Sequence, residues 1–340
     1  MALWSDLITP ADLTGFARAA VEDVERQKAT LAQFLPTYAV PDVVVRTVVS
    51  SDGNGGLAQY RAFDAETPIG SGGISTRKVF ELVPLGLKER VSEYDQLRAR
   101  GNDANALIIN GIERATLRVS YAVEDRLELS RGQALDTGGL TINENGVQQT
   151  VSFGRPASNV VTAATLWNQP TAKVWDDLIA WGDVYALGNQ GSQPGVIVTS
   201  RRVVAALQRN PDIRAMVATV GGTPGIVSID ALSALLGAFG LPPIMVYNRK
   251  IRGVNVLPDN KIFLLPTPVD PNGQSELGAT FYGQTLEASE PEYGISPVDQ
   301  PGLVVGSWRT KDPVGVWVHA SALALPVLVN PVASMVATVL

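Results

Sequence analysis

A glycine-rich stretch of alternating apolar residues, from Asp42 to Val91, stands before one very long helical pattern that runs from Asn102 to about Leu135. The stretch predicts a two-stranded hairpin with a single apolar face, which is not stable alone in water and needs a surface to lie on. The remaining chain offers no chemistry that would explain the hairpin as a lid over an active site. We therefore expect an arm that contacts another molecule, and copies of the same chain are the simplest partner.

Two sets of residues in the hairpin are predicted to carry its function. Glycines are expected to let the loop bend, because glycine reaches backbone conformations that other residues avoid; they are Gly53, Gly55, Gly56, Gly70, Gly72 and Gly73. Apolar residues are expected to form the face that contacts a neighbouring subunit, namely Val79, Phe80, Leu82 and Leu85. The alternative for these four residues is an intramolecular sheet, in which they pack within their own chain.

The residues before the hairpin predict an amphipathic arm helix. Thr9 suits the N-cap, Pro10 suits the first helical position, and Asp12 places an acid in the first turn. Apolar residues then recur at helical spacing until a proline at position 36, namely Leu13, Phe16, Ala20, Val24, Leu31 and Leu35. Charged residues, Glu25 among them, occupy the other face, so the helix is expected to pack through its apolar side.

The long helix is expected to be a rod of about 50 Å with one apolar stripe. The stripe consists of Ile108, Ile112, Ala115, Val119 and Ala122. Charges of mixed sign are expected on the opposite side, at Glu113, Arg114, Arg118, Glu124, Asp125, Arg126 and Glu128. Gly138 and Gly139 end the helix, and Asn145-Gly146 predicts the tight turn of a following hairpin.

From Thr171 onwards, helical and strand patterns alternate, which predicts a compact α+β lobe over about residues 190–270. Ser200 and Ser228 are predicted N-caps of two of its helices. After Asp312 the chain contains no acidic or basic residue except His319. Prolines interrupt this apolar tail, and its short β-rich runs predict buried strands in preference to a membrane anchor.

Composition excludes several classes of function. The chain has 340 residues, 45% of them hydrophobic and 18% charged, which suits a globular protein with a sizeable core. A net charge of −6 argues against strong binding to a phosphate backbone, which depends on clustered lysine and arginine. The absence of cysteine excludes disulfides, thiol nucleophiles and zinc–thiolate sites.

The sequence predicts no catalytic, cofactor or metal site. Nucleophilic triads need a base, and the one histidine, His319, lies in an apolar strand where a structural role is expected. Glu287, Glu290 and Glu292 could provide acid–base chemistry, but a solvated acidic loop is the commoner state of such a cluster. The glycine clusters GSGGIS and VGGTPG match no nucleotide-binding pattern.

Four segments carry a resemblance to a known family. Leu257-Pro258-Asp259-Asn260 precedes the strand KIFLLP, and the run WRTKDP at 308–313 precedes VGVWVHAS. The run ALPVLVNP lies at 324–331, and upstream the run GSGG at 70–73 is followed by KVFELVPLGLKERV at 78–91. In this order, the segments resemble the major capsid proteins of phage lambda and its relatives, which have the tailed-phage (Hong Kong 97-like) capsid fold.

The resemblance implies an α+β capsid fold and a structural protein that is not an enzyme. The implied parts are an N-terminal arm (1–41), an extended loop (42–91), a peripheral domain with a spine helix (92–190), an axial domain (191–270) and a return to the peripheral domain (271–340). The axial domain would meet its copies around fivefold and sixfold vertices. The loop would lie over a neighbouring subunit, and the spine helix and loop would shift as a round precursor expands into an angular shell.

The implied partners are copies of the chain, in pentamers and hexamers of an icosahedral shell that encloses double-stranded DNA without sequence-specific binding. Because no long charged coiled coil precedes the arm helix, we expect a separately encoded scaffold protein, together with a portal; a decoration protein is left open. The expected location is the virion, after assembly in the host cytoplasm and without a membrane. Lys78, Lys88 and Asn330 could supply an isopeptide crosslink between subunits, but lambda-like relatives predict an uncrosslinked shell.

Two alternatives remain open at this point. A cellular nanocompartment shell of the same fold would enclose cargo enzymes in place of a genome. A soluble α+β enzyme would act through the acidic loop at 287–292, although the scarcity of histidine and cysteine disfavours it.

Overall fold

The computed structural model describes residues 3, 7–27, 30–50, 75–98, 104–218, 222–312 and 314–340. The helices are α1 (Pro10–Gln27), α2 (Glu93–Arg98), α3 (Ala104–Thr137), α4 (Val174–Gly188), α5 (Arg201–Arg209), α6 (Pro211–Met216), α7 (Ile229–Ala238) and α8 (Leu286–Ser289). The strands are β1 (Thr37–Ala39), β2 (Val44–Ser50), β3 (Ser75–Glu81), β4 (Val83–Val91), β5 (Gly139–Glu144), β6 (Val147–Ser152), β7 (Val160–Thr162), β8 (Val196–Thr199), β9 (Ile244–Val246), β10 (Lys250–Ile251), β11 (Val254–Asn255), β12 (Lys261–Leu265), β13 (Gly278–Gly283), β14 (Val304–Lys311), β15 (Val314–Leu328) and β16 (Met335–Thr338).

The first sheet is built around β15. Strands β14 and β13 pair with successive parts of one side of β15, and β4 pairs with the other side, all antiparallel. Strand β1 adds to β13 in parallel. Alternate residues of β15, such as Val316 and Val318, face α1 and α3, whereas Leu325 and Val327 enter the core shared with the second sheet.

The second sheet has the strand order β7-β16-β12-β8-β9 and is covered on both faces. Phe263 and Leu265 of β12 enter the core shared with the first sheet, while Ile262 and Leu264 enter a core formed with α4, α5 and α7. Strands buried on both faces have no polar side in their sequence. This placement explains the uninterrupted apolar runs of β8, β12 and β16.

The apolar C-terminal tail forms buried strands, as predicted: β15 and β16 lie inside the two sheets. Among the residues that the structure describes, no helix is long and apolar enough to cross a membrane.

The long helix α3 confirms the prediction of a single rod, which the structure describes from Ala104 to Thr137. Its buried stripe differs from the prediction, because Ala122 is only half-buried and the stripe continues through Val123 and Leu127. Glu124 and Glu128, predicted on the charged side, are buried at 1% and 0% exposure. The second half of α3 is covered by α1 and by both sheets. The buried part of its surface is therefore wider there than a single stripe.

The arm helix α1 begins as predicted, with the Thr9 hydroxyl accepting a hydrogen bond from the Asp12 amide at 3.1 Å. Its length and buried face were predicted wrongly. The helix ends at Gln27, and Leu31 lies in a separate 3-10 turn. Phe16 is 42% exposed, and the buried face runs through Leu13, Ala17 and Glu25 instead.

Several local predictions are confirmed. Asn145 and Gly146 both have positive φ at the turn between β5 and β6, and Ser200 and Ser228 cap α5 and α7 through their hydroxyls. The predicted domain boundaries stay a prediction. The second sheet takes three of its strands from residues 191–270, and β7 and β16 come from outside that range.

Candidate functional site

The base of the predicted extended loop is an antiparallel ladder between β2 and β3, in which Val45 is opposite Phe80. Both side chains are buried against the chain's own core, and the Phe80 ring packs edge-on against Phe153 at 5.7 Å. Leu82, in the short link from β3 to β4, belongs to the same core. These two predicted contact residues, Phe80 and Leu82, thus pack within their own subunit in this structure.

The other two predicted contact residues are more accessible. The Val79 side chain is 59% exposed, and Leu85 is half-buried where β4 approaches α1 and α3. The role of these four residues between subunits stays a prediction, with Val79 the most accessible of them. The six glycines predicted to bend the loop, at positions 53–73, lie outside the described residues.

Two side chains of the arm helix α1 hydrogen-bond to backbone groups of β14 and of the segment just before it. The Thr14 hydroxyl accepts from the Val305 amide at 3.0 Å and donates to the Val305 oxygen at 3.1 Å. Arg18 donates to the backbone oxygens of Leu303 and Asp299, both at 2.8 Å. The two Thr14 bonds occupy backbone groups of the edge strand β14 that would otherwise be open to another chain.

At the other end of α1, a buried charge cluster joins the arm to the spine helix α3. Arg131 of α3 contacts Glu124 at 2.6 Å, Glu25 of α1 at 2.9 Å and Glu128 at 3.3 Å. Its Nε donates to the Thr280 hydroxyl on β13 at 2.9 Å. One guanidinium therefore connects the arm, the spine helix and the first sheet.

Glu128 extends this cluster to Tyr247 and Arg249, which belong to the α+β lobe at about 190–270, called the second lobe below. Its Oε1 accepts from the Leu31 amide at 2.9 Å and from the Tyr247 hydroxyl at 2.6 Å, and it lies 3.5 Å from Arg249 Nη1. Burial, followed by the charge of Glu128, raises the pKa of Tyr247 above its usual range. The phenol is therefore a permanent donor to Glu128 at physiological pH.

The electrostatics of the cluster are set by burial. Burial raises the pKa of Glu124 to about 8, although the charge of Arg131 acts in the opposite direction. Burial also acts to lower the pKa of Arg131, but its three carboxylate neighbours outweigh that effect and hold the pKa well above its usual value. Arg131 therefore stays charged, and burial favours the protonated form of Glu124.

The acidic loop proposed for an enzyme forms one wall of an open groove. Glu290 and Glu292 line it together with Trp308 and Trp317, and Lys88 lies 5.2 Å above the Trp317 ring. His319 is not among the lining residues; its ring packs edge-on against Trp308 at 6.1 Å, and burial lowers its pKa. Within the described ranges, no group of three or more acidic or histidine side chains could hold a metal ion.

Sequence reasoning missed the charge cluster. Glu124, Glu128 and Arg131 lie at helical spacing and look like an exposed row of charges, and Glu25 is distant in the sequence. One signal was available: Thr116, Ser120, Glu124 and Glu128 form a polar row directly beside the apolar stripe, and all four are buried.

Three of the solved structures similar to this chain are capsid or phage-related proteins, all at low sequence identity. A structure described as the putative capsid protein of a prophage from E. coli CFT073 matches with a TM-score of 0.63 and 15% identity, covering 100% of both chains. A phage-related protein from Bordetella bronchiseptica RB50 matches with a TM-score of 0.59 and 15% identity, covering 98% of this chain and 97% of that one. The satellite phage P4 procapsid, which includes the size determination protein, matches at 0.52 and 11% identity, covering 96% and 90%.

Sequence comparison gives the family. No curated protein matches the chain in sequence. The family model described as phage major capsid protein E matches residues 19–339, which is nearly the whole chain. The protein thus belongs to the phage major capsid protein E family and has the tailed-phage (Hong Kong 97-like) capsid fold.

Proposed function

We propose that this chain is the major capsid subunit of a tailed phage and that it assembles, as pentamers and hexamers, into an icosahedral shell around double-stranded DNA. The match of the capsid protein E family over residues 19–339 carries the proposal. The similarity to a P4 procapsid subunit supports a shell, and the acidic net charge suits a container for a polyanion.

Exposed apolar side chains support assembly as well. In the segment proposed as the axial domain, Ile226, Ile229, Phe239 and Val254 are each more than half exposed. Burial of such side chains against another subunit would remove apolar surface from water, which favours association. We propose that this segment meets its copies around the fivefold and sixfold axes, and that the arm at 1–41 and the peripheral parts at 92–190 and 271–340 form the body of the shell.

The loop at 42–91 is proposed to lie over a neighbouring subunit, with Val79 in the contact. The Lys78 ammonium donates to the Phe153 oxygen within its own chain. An intramolecular bond of this kind supports an uncrosslinked shell, and a single band near 36 kDa on a denaturing gel of mature particles is the expected result. A separately encoded scaffold and a portal complete the proposed set of partners.

Electron microscopy and sedimentation of the purified protein, with and without its neighbouring genes, test the proposal. Closed shells tens of nanometres across, or isolated pentamers and hexamers, are expected. A stable monomer under every condition would contradict shell assembly. Particles that contain cargo enzymes and no DNA would instead support the nanocompartment.

A further inference from the structure

The joint between the arm helix α1 and the spine helix α3 contains more buried acids than bases. Glu25, Glu124 and Glu128 surround Arg131, and the four side chains are between 0% and 6% exposed. Arg249 approaches Glu128 from the second lobe, but it also pairs with Asp125. Full ionisation would therefore leave uncompensated negative charge in a dry site, which is costly for a folded protein.

The carboxylates of Glu128 and Glu124 differ in the number of groups that stabilise their negative charge. Glu128 accepts hydrogen bonds from the Leu31 amide, the Tyr247 phenol and Arg131. It also forms an ion pair with Arg249 at 3.5 Å. Oε1 of Glu124 accepts a hydrogen bond from Arg131, whereas Oε2 is buried and has no hydrogen-bond partner among the described residues. The partnerless oxygen leaves Glu124 less stabilised as an anion than Glu128.

The groups facing Glu124 come from each element packed against it. Arg131 and Glu128 belong to its own helix, Glu25 comes from α1, and Tyr282 comes from β13. Burial, followed by the charge of Glu124, raises the pKa of Tyr282 above its usual range, so this phenol stays neutral and does not change charge alongside Glu124. Arg18 of α1 donates to the backbone oxygens of Leu303 and Asp299, just before β14, and stays cationic.

We propose that Glu124 binds a proton in the folded subunit and that this proton holds the C-terminal end of the arm helix on the spine helix. When the proton leaves, Glu124 and Glu25 become like charges that face each other across two different elements. Glu124 and Glu128 are fixed on one helix, so the repulsion is relieved by movement of the element that carries Glu25. The C-terminal turn of α1, which carries Glu25, thus loosens from α3 as the pH rises.

The direction of the pH dependence follows from linkage. The pKa of Glu124 is about 8 in the folded chain and 4.5 without burial, so the folded state binds the additional proton between these values. The contribution to stability is complete below about pH 4.5 and is lost progressively as the pH rises to about 8. All members of the cluster lie in one subunit, so the same pH dependence is expected of the isolated chain.

Hydrogen–deuterium exchange of the full-length subunit at pH 5.5 and 8.5, corrected for the pH dependence of chemical exchange, tests this. For backbone amides in the second half of α1, the opening equilibrium constant is expected to be at least about tenfold larger at pH 8.5 than at pH 5.5. Peptides from β12 serve as the internal reference. Glu124→Gln, which mimics the neutral acid, should reduce the change to less than about twofold. Glu113→Gln, on the same helix outside the cluster, should keep the full response.

Two results would overturn the proposal: no pH response of α1 in the unaltered chain, or an equal response in Glu124→Gln. If Glu124→Gln does not fold, Glu25→Gln provides the second test. It removes the like charge from the arm and keeps a hydrogen-bonding side chain beside Arg131. Its response should be smaller than that of the unaltered chain, and an undiminished response would contradict the proposal.

Discussion

Arg155 donates a 2.6 Å hydrogen bond from Nη2 to the backbone oxygen of Leu135, in the last turn of the spine helix α3. A second nitrogen, Nη1, donates to the Asp136 oxygen at 3.1 Å. The last carbonyls of a helix have no partner within the helix and carry partial negative charge. Arg155, which follows the β5–β6 hairpin, therefore caps the C-terminal end of the spine helix. Burial lowers its pKa to about 10, so the side chain is still charged at neutral pH.

Removal of this cap should destabilise the subunit. Arg155→Met leaves the carbonyls of α3 without their charged donor, and we expect a loss of about 1.5–3 kcal/mol in the free energy of unfolding. Denaturant titration of the isolated subunit measures it. Arg26→Met, which removes an exposed pair with Glu22, is the matched control and should cost less than about 0.5 kcal/mol. Equal effects of the two changes would contradict the capping role.

Gly132 should tolerate no side chain, although it lies within a helix. A Cβ at this position would collide with the backbone oxygen of Val256, where the second lobe packs on α3. Gly132→Ala should therefore destabilise by about 1–3 kcal/mol, despite the usual helical preference for alanine. Gly15→Ala in α1, where nothing lies within 4 Å, should stabilise by about 0.5–1 kcal/mol. Thermal unfolding of both variants gives the comparison, and a stabilising Gly132→Ala would be inconsistent with close packing here.

Two neighbouring residues of β3 should separate folding from assembly. Phe80→Ala empties a buried position and should destabilise the subunit by about 3–5 kcal/mol. Val79→Asp changes an exposed side chain, so subunit stability should stay within about 0.5 kcal/mol while shell yield falls. Denaturation and negative-stain microscopy measure the two effects. Normal shells from Val79→Asp would remove Val79 from the proposed contact.

His319 should titrate below its ordinary range. Burial lowers its pKa from 6.5, so the folded state binds this proton less readily than the unfolded state does. The contribution to stability is therefore present above about pH 6.5 and is lost as the pH falls through the folded pKa. Because the chain has one histidine, its imidazole signal in a proton NMR titration is unambiguous. The same titration in concentrated urea is the control, and equal midpoints would refute the shift.

Predictions that rest on local chemistry were reliable in this chain. Thr9, Ser200 and Ser228 cap helices because their hydroxyls satisfy free amides, whatever the rest of the fold does. The Asn145-Gly146 turn follows from residues that accept positive φ. The long helix and the uncharged strands followed from periodicity and from the absence of charge.

Features that depend on distant parts of the chain were not predictable in this way. Glu124 is buried because Glu25 and Tyr282 cover it, and nothing near position 124 specifies either neighbour. Phe16 was assigned to the wrong face because Ala17 is small and gives a weak apolar signal. The pairing of β16 with β7 joins residues far apart in the sequence. The contact role of Val79 involves a second molecule and remains a prediction.

The pairing of β4 with β15 has a mechanical consequence. The register runs without interruption from Val83 opposite Ala324 to Val91 opposite Val316. Strand β3 is followed by β4 after one residue, so tension that the hairpin transmits along β4 loads the β4–β15 hydrogen bonds in shear. In that direction the bonds share the force and must break together, whereas a sideways pull would open them one after another. A subunit that is pulled through its hairpin should therefore unfold only when the whole β4–β15 ladder breaks. In a closed shell, a force on the hairpin would be transmitted to β15, the central strand of the sheet.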